Sequence, residues 1–389
     1  MPINHKQLRR NLEAARKDRT PQRFFEDLRE SLDEGELKPS DFSVRQLFEE
    51  FVPDGRELVN SFNPAHPSDI NLMEAGNVVD TSAFSNITGQ IVYTAVMAEM
   101  MSPTFIGDQL FETVPTNLSG EKIPGIGRIG DEAMAIGEGQ DYPTAGLAEE
   151  WVETPETIKR GLIVPLTKEV IFFDRTGILI GNASKVGEAI GINKEKRMLD
   201  VALGITTTWR YKGNAAQATY ANTHTGHDFD NLANSNALAD WTDIETAELL
   251  FDAITDPNTG EPVMIVPNQL VVPSALKHTA RRILSATEVR GGTSNTTNYQ
   301  TIGNSPIPAN QYSVLSNSYV KQRTTSATSW FIGDFKKAFK YMQNWAAVVQ
   351  EAGEDSHDSF HRDIVRQWKV SERGAAACVA PWNVVKCTG

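Results

Sequence analysis

The stretch from Gly120 to Gly146 constrains this chain most. It holds glycine at 120, 125, 127, 130, 137, 139 and 146, with few large apolar side chains between them. Such a segment has wide backbone freedom and little surface to bury, so it cannot build a core of its own. Within it, IPGIGRIGDEAMAIGEGQDYP (123–143) carries the GxGxxG spacing at Gly125, Gly127 and Gly130. A dinucleotide fingerprint needs a strand before these glycines and a helix after them. Here SGEKIP is short and polar, and Gly137, Gly139 and Pro143 would break a following helix. The charge is also wrong. Between Lys122 and Lys159 the one basic residue is Arg128, set against Asp131, Glu132, Glu138, Asp141, Glu149, Glu150, Glu153 and Glu156, a field that repels phosphate. The stretch reads instead as an extended excursion that finds a partner outside its own domain or stays mobile.

The remaining chain, 389 residues with 40% hydrophobic and 22% charged side chains, is long enough for two or more globular units. No apolar run reaches the ~18–20 residues that span a bilayer, and the start lacks the apolar core of a secretory signal, which points to a cytoplasm-like compartment. Cys378 and Cys387 are the two cysteines, too few for a disulfide framework and without zinc-site spacing. The net charge of -13 argues against a chain whose main task is gripping nucleic acid, because that affinity comes from cations on phosphate. The charge is uneven. Residues 1–25 carry seven Lys/Arg against two acids, and residues 26–57 eleven acids against four bases.

The N-terminal segment shows narrow apolar stripes at helical spacing: Leu8 and Leu12; Phe24, Phe25, Leu28 and Leu32; Val44, Leu47, Phe48 and Phe51. Each is enough to lie on a partner and too narrow to form a core, so residues 1–75 read as a helical arm ending near Pro64 and Pro67. Beyond it the pattern predicts a helix over 84–101, strands over 157–173 and one long helix over 176–203, which Gly181, Gly187 and Gly191 weaken. Residues 204–240 read as loops or short strands. A helix lined by Ile244, Ala247, Phe251 and Ile254 is expected to be capped by Thr242 or Asp243. VMIVPNQLVVP reads as one long strand or a strand pair, PSALKHTARRILSA as a helix, residues 288–310 as a polar loop, and the C-terminal portion mainly as strands.

Searches for chemistry find weak signals. His224 and His227 form HxxH beside Asp228 and Asp230, without the helix that would align metal ligands on one face. His357 and His361 lie in a polar turn. No nucleophile elbow, CxxC, HExxH or phosphate-loop motif occurs. Lys336, Lys337 and Lys340 read as a solvated face, and Trp345, Trp368 and Trp382 as core or interface anchors.

A helical arm, a long glycine-rich hairpin, the run IKRGLIVPLTKEVIFFD, a long helix ending NKEKRMLDVALG, then VMIVPNQLVVPSALKHTARRIL, WFIGDF and HRDIVRQWKVSERGAAACVAP follow in order. This order, over about residues 77–389, resembles the major capsid proteins of tailed double-stranded-DNA bacteriophages with the Hong Kong 97-like fold. The resemblance implies an α+β fold. Its parts are a helical N-terminal arm (1–75), a peripheral domain (76–118, then 161–212 with a long spine helix), an extended β-hairpin loop (119–160), an axial domain (213–330), antiparallel peripheral strands (331–370) and a C-terminal strand returning to the axial domain (371–389). It implies a virion shell subunit, assembled in the host cytoplasm, without catalytic residues, cofactor or metal. Its main partner would be itself, in pentamers and hexamers of an icosahedral shell around double-stranded DNA. Scaffold, portal and decoration proteins would be further partners, contact with the packaged DNA would be weak, and no membrane is involved. Inter-subunit contacts are expected from the loop residues Arg128, Asp131, Glu132, Glu138, Asp141, Glu149 and Glu150. The arm residues Leu8, Leu12, Phe24, Phe25, Leu28 and Phe48 are expected to do the same. Some relatives fasten neighbours through a loop lysine; no lysine lies between Lys122 and Lys159, so no such crosslink is expected. A cellular nanocompartment shell of the same fold is the alternative, against which the long arm argues, and an enzyme using the glycine loop or the histidine pairs is the third reading.

Overall fold

The computed structural model describes residues 5–52, 54–61, 78–124, 150–256, 260–286, 288–291, 300–304, 311–352 and 364–389. They form two compact units, each assembled from three stretches of chain: Met1–Ser102, Lys159–Asn193 and Trp345–Arg373 in the first, Pro103–Ile158, Lys194–Asn344 and Gly374–Gly389 in the second. Among the described residues no helix is long and apolar enough to cross a membrane.

In the first unit the apolar stripes of the N-terminal segment do build a core. Helices His5–Lys17, Pro21–Asp33 and Val44–Phe51 bring Leu8, Leu12, Leu28, Leu32, Val44, Leu47, Phe48 and Phe51 into one buried cluster with Phe84, Ile87, Ile91 and Val96. No single stripe is wide enough, but three laid on the apolar Val78–Met100 helix exclude water together. The partner expected for them is thus supplied by the chain itself. Local polar contacts fix the third helix. Ser43 caps it, accepting from Gln46 N at 3.4 Å, and donates to Asp174 Oδ1 at 2.7 Å, while Val44 N donates to Thr176 Oγ1 at 3.0 Å.

The long helix runs over Thr176–Ala202. Its glycines differ in purpose. A Cβ at Gly187 would lie 2.2 Å from the Val96 carbonyl oxygen, whereas one at Gly181 meets nothing within 4 Å. Gly187 therefore marks the close approach of this helix to Val78–Met100, and the helix tolerates its low propensity there for the sake of packing. The expected strand over 157–173 ends earlier: Ile158–Thr167 is strand and Lys168–Phe172 is helix. Val170, Ile171 and Phe172 are all buried in that turn, a local packing preference that overrides their β propensity.

The second unit is built on a five-stranded sheet in the order Ser313–Ser316, Gln269–Val272, Trp330–Gly333, Val384–Cys387, Leu232–Ala233. The central strand is antiparallel to both neighbours and buried at every residue. At its end Gly333 has φ of 154°, and a Cβ there would meet the Asn383 carbonyl oxygen at 2.3 Å. Asp334 then caps helix Phe335–Ala338, so the Gly-Asp pair closes one strand against a backbone and starts the next element.

Three further expectations are corrected. The helix Trp241–Asp252 is capped by Asp240, with Asp243 returning the bond in a capping box. In VMIVPNQLVVP only Gln269–Val272 is strand, because Pro267 withholds a ladder donor. The 288–310 segment is not wholly loop, since Glu288–Gly291 pairs with Gln300–Asn304.

The glycine contrast gives a test. Gly187→Ala is expected to destabilise the first unit by about 1–3 kcal/mol through overpacking, whereas Gly181→Ala raises its stability by about 0.5–1 kcal/mol; thermal melting of the two variants against wild type measures both.

Candidate functional site

The root of the glycine-rich excursion is a small, locked sheet. Lys122–Pro124 pairs antiparallel with Trp151–Glu153, Pro124 opposite Trp151, and Arg210–Tyr211 adds the third strand. Segment 125–149 therefore leaves and returns at neighbouring points. Strands this short need help from side chains. Thr154 supplies it by accepting from Glu121 N at 2.8 Å through Oγ1 and donating its backbone N to Glu121 O at 2.8 Å. Lys122 Nζ sits 3.9 Å over the Trp151 ring, a cation–π contact.

Glu150 is the one predicted loop contact among the described residues, and it is 6% exposed. Tyr211 donates its hydroxyl to Glu150 Oε1 at 2.6 Å, and Lys212 Nζ lies 3.5 Å from the same oxygen. A buried carboxylate is tolerable only with partners of this kind. Burial first, and then the Glu150 carboxylate, push the Tyr211 phenol above its ordinary range. Arg128, Asp131, Glu132, Glu138, Asp141 and Glu149 lie outside the described residues.

The arm residues fall into two groups. Leu8, Leu12, Leu28 and Phe48 are buried in the chain's own core, and Phe24 and Phe25 are half-buried against it. The outward face is charged: Arg10, Lys17, Arg19 and Arg23 are exposed, followed by exposed Glu26, Asp27, Glu30, Glu34 and Glu36. Exposed apolar side chains concentrate elsewhere. Leu162 and Ile163 project from strand Ile158–Thr167, and Met264 (89% exposed) and Val266 (71%) from an extended stretch of the second unit. There Val263 and Ile265 alternate with them and pack on the core, the period-two pattern of an extended segment with one free face.

The histidine pair is structural. His224 stacks on Phe229 with centroids 4.1 Å apart, its ring nitrogens 3.1 Å from the carbonyl oxygens of Phe229 and Ala218. His227 lies against Trp382 and places Nε2 at 3.0 Å from Thr255 O. Burial lowers both pKa values, outweighing the carbonyl contacts that raise them. Among the described residues no group of three His, Cys, Asp or Glu is placed to hold a metal ion. His357 and His361 lie outside the described residues. Cys378 and Cys387 are buried thiols, the second pushed up to about 12 mainly by burial, a setting in which sulfur is inert. Lys336 and Lys337 are exposed as expected, but Lys340 pairs with Glu112 across a parallel strand contact.

Sequence reasoning missed Glu195, hidden in the charged run NKEKR. It is 2% exposed and accepts from Ile106 N at 2.9 Å, Gly107 N at 2.8 Å and Asn317 Nδ2 at 3.0 Å. The signal was its phase: Glu195 stands three residues before buried Met198 and four before buried Leu199, on the inward face of the helix. Trp209 and Trp330, both fully buried, were also unmarked. Trp209 stacks on Tyr211 at 5.8 Å and so joins the root of the excursion to the aromatic cluster around His224.

A family model described as phage capsid protein matches residues 151–387. No curated protein matches the chain. It is similar to a solved structure from Mycobacterium phage Bobi, at 12% identity and TM-score 0.45, covering 73% of this chain and 90% of that one. A structure from Gordonia phage Cozz is similar at 13% identity and TM-score 0.43, covering 81% and 95%. The virus-like particle of Pyrococcus furiosus is similar at 11% identity and TM-score 0.37, covering 76% and 95%.

Because burial lowers the pKa of His224 and of His227, folded chains resist a proton that unfolded chains accept. Their contribution is present above the ordinary histidine value of about 6.5 and is lost as pH falls below it. The melting temperature of the second unit is expected to drop between neutral and mildly acidic pH, and a His224→Phe/His227→Phe variant is expected to show a flatter profile by calorimetry.

Proposed function

The chain belongs to the phage capsid protein family, and from that premise we propose that it is the major capsid protein of a tailed bacteriophage. It is a structural subunit of a viral shell. In the proposed reading the shell is icosahedral, assembles from pentamers and hexamers in the host cytoplasm and encloses double-stranded DNA, with portal, scaffold and decoration proteins as further partners and no catalytic step. The family match over 151–387 carries this reading. The Hong Kong 97-like division into arm, peripheral domain, extended loop and axial domain belongs to the same proposal.

The loop and arm contacts follow from physical need. Segment 125–149 carries most of the acids and glycines of the excursion, and its ends are clamped together. The proposed role of Arg128, Asp131, Glu132, Glu138, Asp141 and Glu149 is to lie over a neighbouring subunit, with Glu150 holding the root. For the arm, buried Leu8, Leu12, Leu28 and Phe48 keep the helices in shape, half-buried Phe24 and Phe25 form the edge, and the exposed charges reach the neighbour. The basic start and acidic continuation of the arm attract each other between copies. Packaged DNA meets an acidic wall that releases it readily.

Electron microscopy of the purified full-length protein, or of its source particles, is expected to show closed icosahedral shells, while a variant lacking residues 128–149 forms none; a small soluble oligomer from wild type would refute the reading. Charge reversal tests the arm. Arg19→Glu/Arg23→Glu and Glu30→Lys/Glu34→Lys are each expected to lower shell yield about tenfold or more, given several charge pairs of about 0.2–1 kcal/mol per interface. Combining all four restores it. Normal assembly of the first variant with altered DNA content assigns the basic face to DNA instead.

A further inference from the structure

Two helices of the second unit carry opposite charge and leave part of it unanswered. Helix Trp241–Asp252, WTDIETAELLFD, has four acids and no base, and helix Lys277–Leu284, KHTARRIL, has three bases and no acid. Some of these charges are used locally. Asp243 closes the capping box, Glu248 accepts from the Tyr312 hydroxyl, and Arg282 donates to Ala239 O at 3.2 Å. Glu245, Asp252, Lys277 and Arg281 remain, and among the described residues none of these four side chains has an ion-pair or hydrogen-bond partner.

The acids line up with an apolar side chain between them. Glu245, Leu249 and Asp252 stand at i, i+4 and i+7, all exposed and turned away from buried Ile244, Ala247 and Phe251. Lys277, half-buried, and Arg281, exposed, stand at i and i+4 on the other helix. At the helical rise the acidic stripe is about 10 Å long and the basic one about 6 Å, a difference that the long lysine and arginine stems can span while covering Leu249.

The two stripes belong to different parts of one sheet. Helix Trp241–Asp252 packs on its last two strands, Val384–Cys387 and Leu232–Ala233, and helix Lys277–Leu284 on its first, Ser313–Ser316. The stripes do not pair within the chain, but they complement each other between copies. Copies of a chain of net charge -13 repel one another, so a contact that sets cations against carboxylates is favoured. Two different surfaces of one chain make a head-to-tail contact, which closes into a ring or continues as a filament.

We propose that helix Trp241–Asp252 of one copy docks on helix Lys277–Leu284 of the next, setting Glu245 and Asp252 against Lys277 and Arg281 of the neighbouring copy around Leu249. This deepens the shell reading and rests on it for ring closure.

The test is disulfide trapping in the full-length protein carrying Leu249→Cys and His278→Cys together, which keeps all four charges. Cys378 and Cys387 are buried, so they add little background. Mild oxidation is expected to give covalent species larger than dimers in non-reducing electrophoresis, which neither single variant gives. A melting curve under reducing conditions that matches wild type establishes that the double variant is folded. Arg281→Glu and Glu245→Arg are each expected to lower shell yield about tenfold, given repetition of the contact at every interface, and their combination to restore it. Closed shells with no covalent species beyond dimers overturn the contact and leave the shell reading standing. A ladder beyond dimers without closed shells supports the contact and counts against the shell, and neither ladder nor shells overturns both. Normal assembly of Arg281→Glu with reduced DNA content assigns the basic helix to nucleic-acid phosphate and also overturns the proposal.

Discussion

The small sheet that brackets segment 125–149 depends on one buried charge. Glu150 is taken out of water at the point where the chain returns, and the Tyr211 hydroxyl and Lys212 ammonium answer it. Strands of two or three residues have too few ladder bonds to hold register by themselves. Register here is fixed by the reach of side chains. Glu150 meets Tyr211, Thr154 meets Glu121, and Lys122 covers Trp151. Because Tyr211 stacks on Trp209, and Trp209 packs edge-on to His224 and Phe229, this root is continuous with the core of the second unit. Side-chain packing therefore runs from that core to the strands that hold Pro124 and Trp151.

The first unit solves a different problem with the same economy of parts. Short helices with narrow stripes are marginal alone, and three of them gain stability by sharing one apolar helix, Val78–Met100. That helix must also approach the long Thr176–Ala202 helix closely, which Gly187 permits. The Ser43–Asp174 and Val44–Thr176 hydrogen bonds then fasten the N-terminal helices to the start of the long one. One consequence is a division of labour by face: apolar residues of the N-terminal segment are consumed inside the chain, and its charges remain for whatever lies outside.

Much of this was legible in the sequence, and the failures have physical causes. The long helix was readable from Leu179, Ala183 and Ile190 because periodic burial leaves a periodic pattern. The order of elements carried the family resemblance even without a diagnostic motif. The excursion was read from what it lacks, large apolar groups, and its middle lies outside the described residues; its root was not readable, since a Glu–Tyr pair separated by sixty-one positions has no local signature. Thr242 and Asp243 were plausible caps, but Asp240 won by offering its side chain to Thr242 N at 2.8 Å while Asp243 bonded back to Asp240 N. Glu195 was hidden by its neighbours: in NKEKR every residue is polar, so hydrophobicity alone cannot separate the inward acid from the outward bases. The fate of the arm stripes could not be settled locally at all, because whether a narrow stripe finds its partner in the same chain is a property of the whole fold.

A subunit of net charge -13 repels its copies at long range, yet a shell subunit must associate. Screening limits that repulsion: at physiological salt the Debye length is about 8 Å, so only charges near a contact decide its sign. The exposed surface has the means to make that sign favourable. The N-terminal segment presents Arg19 and Arg23 within a few positions of Glu26, Glu30 and Glu34, so two copies can meet with opposite charges although their totals are alike. Apolar burial must then provide the cohesion, since exposed ion pairs are individually weak. Leu162 with Ile163, and Met264 with Val266, are exposed side chains whose removal from water would provide it, at about 25 cal/mol per Å². In the proposed shell, charge would select the partner and register, and apolar area would hold what charge has selected.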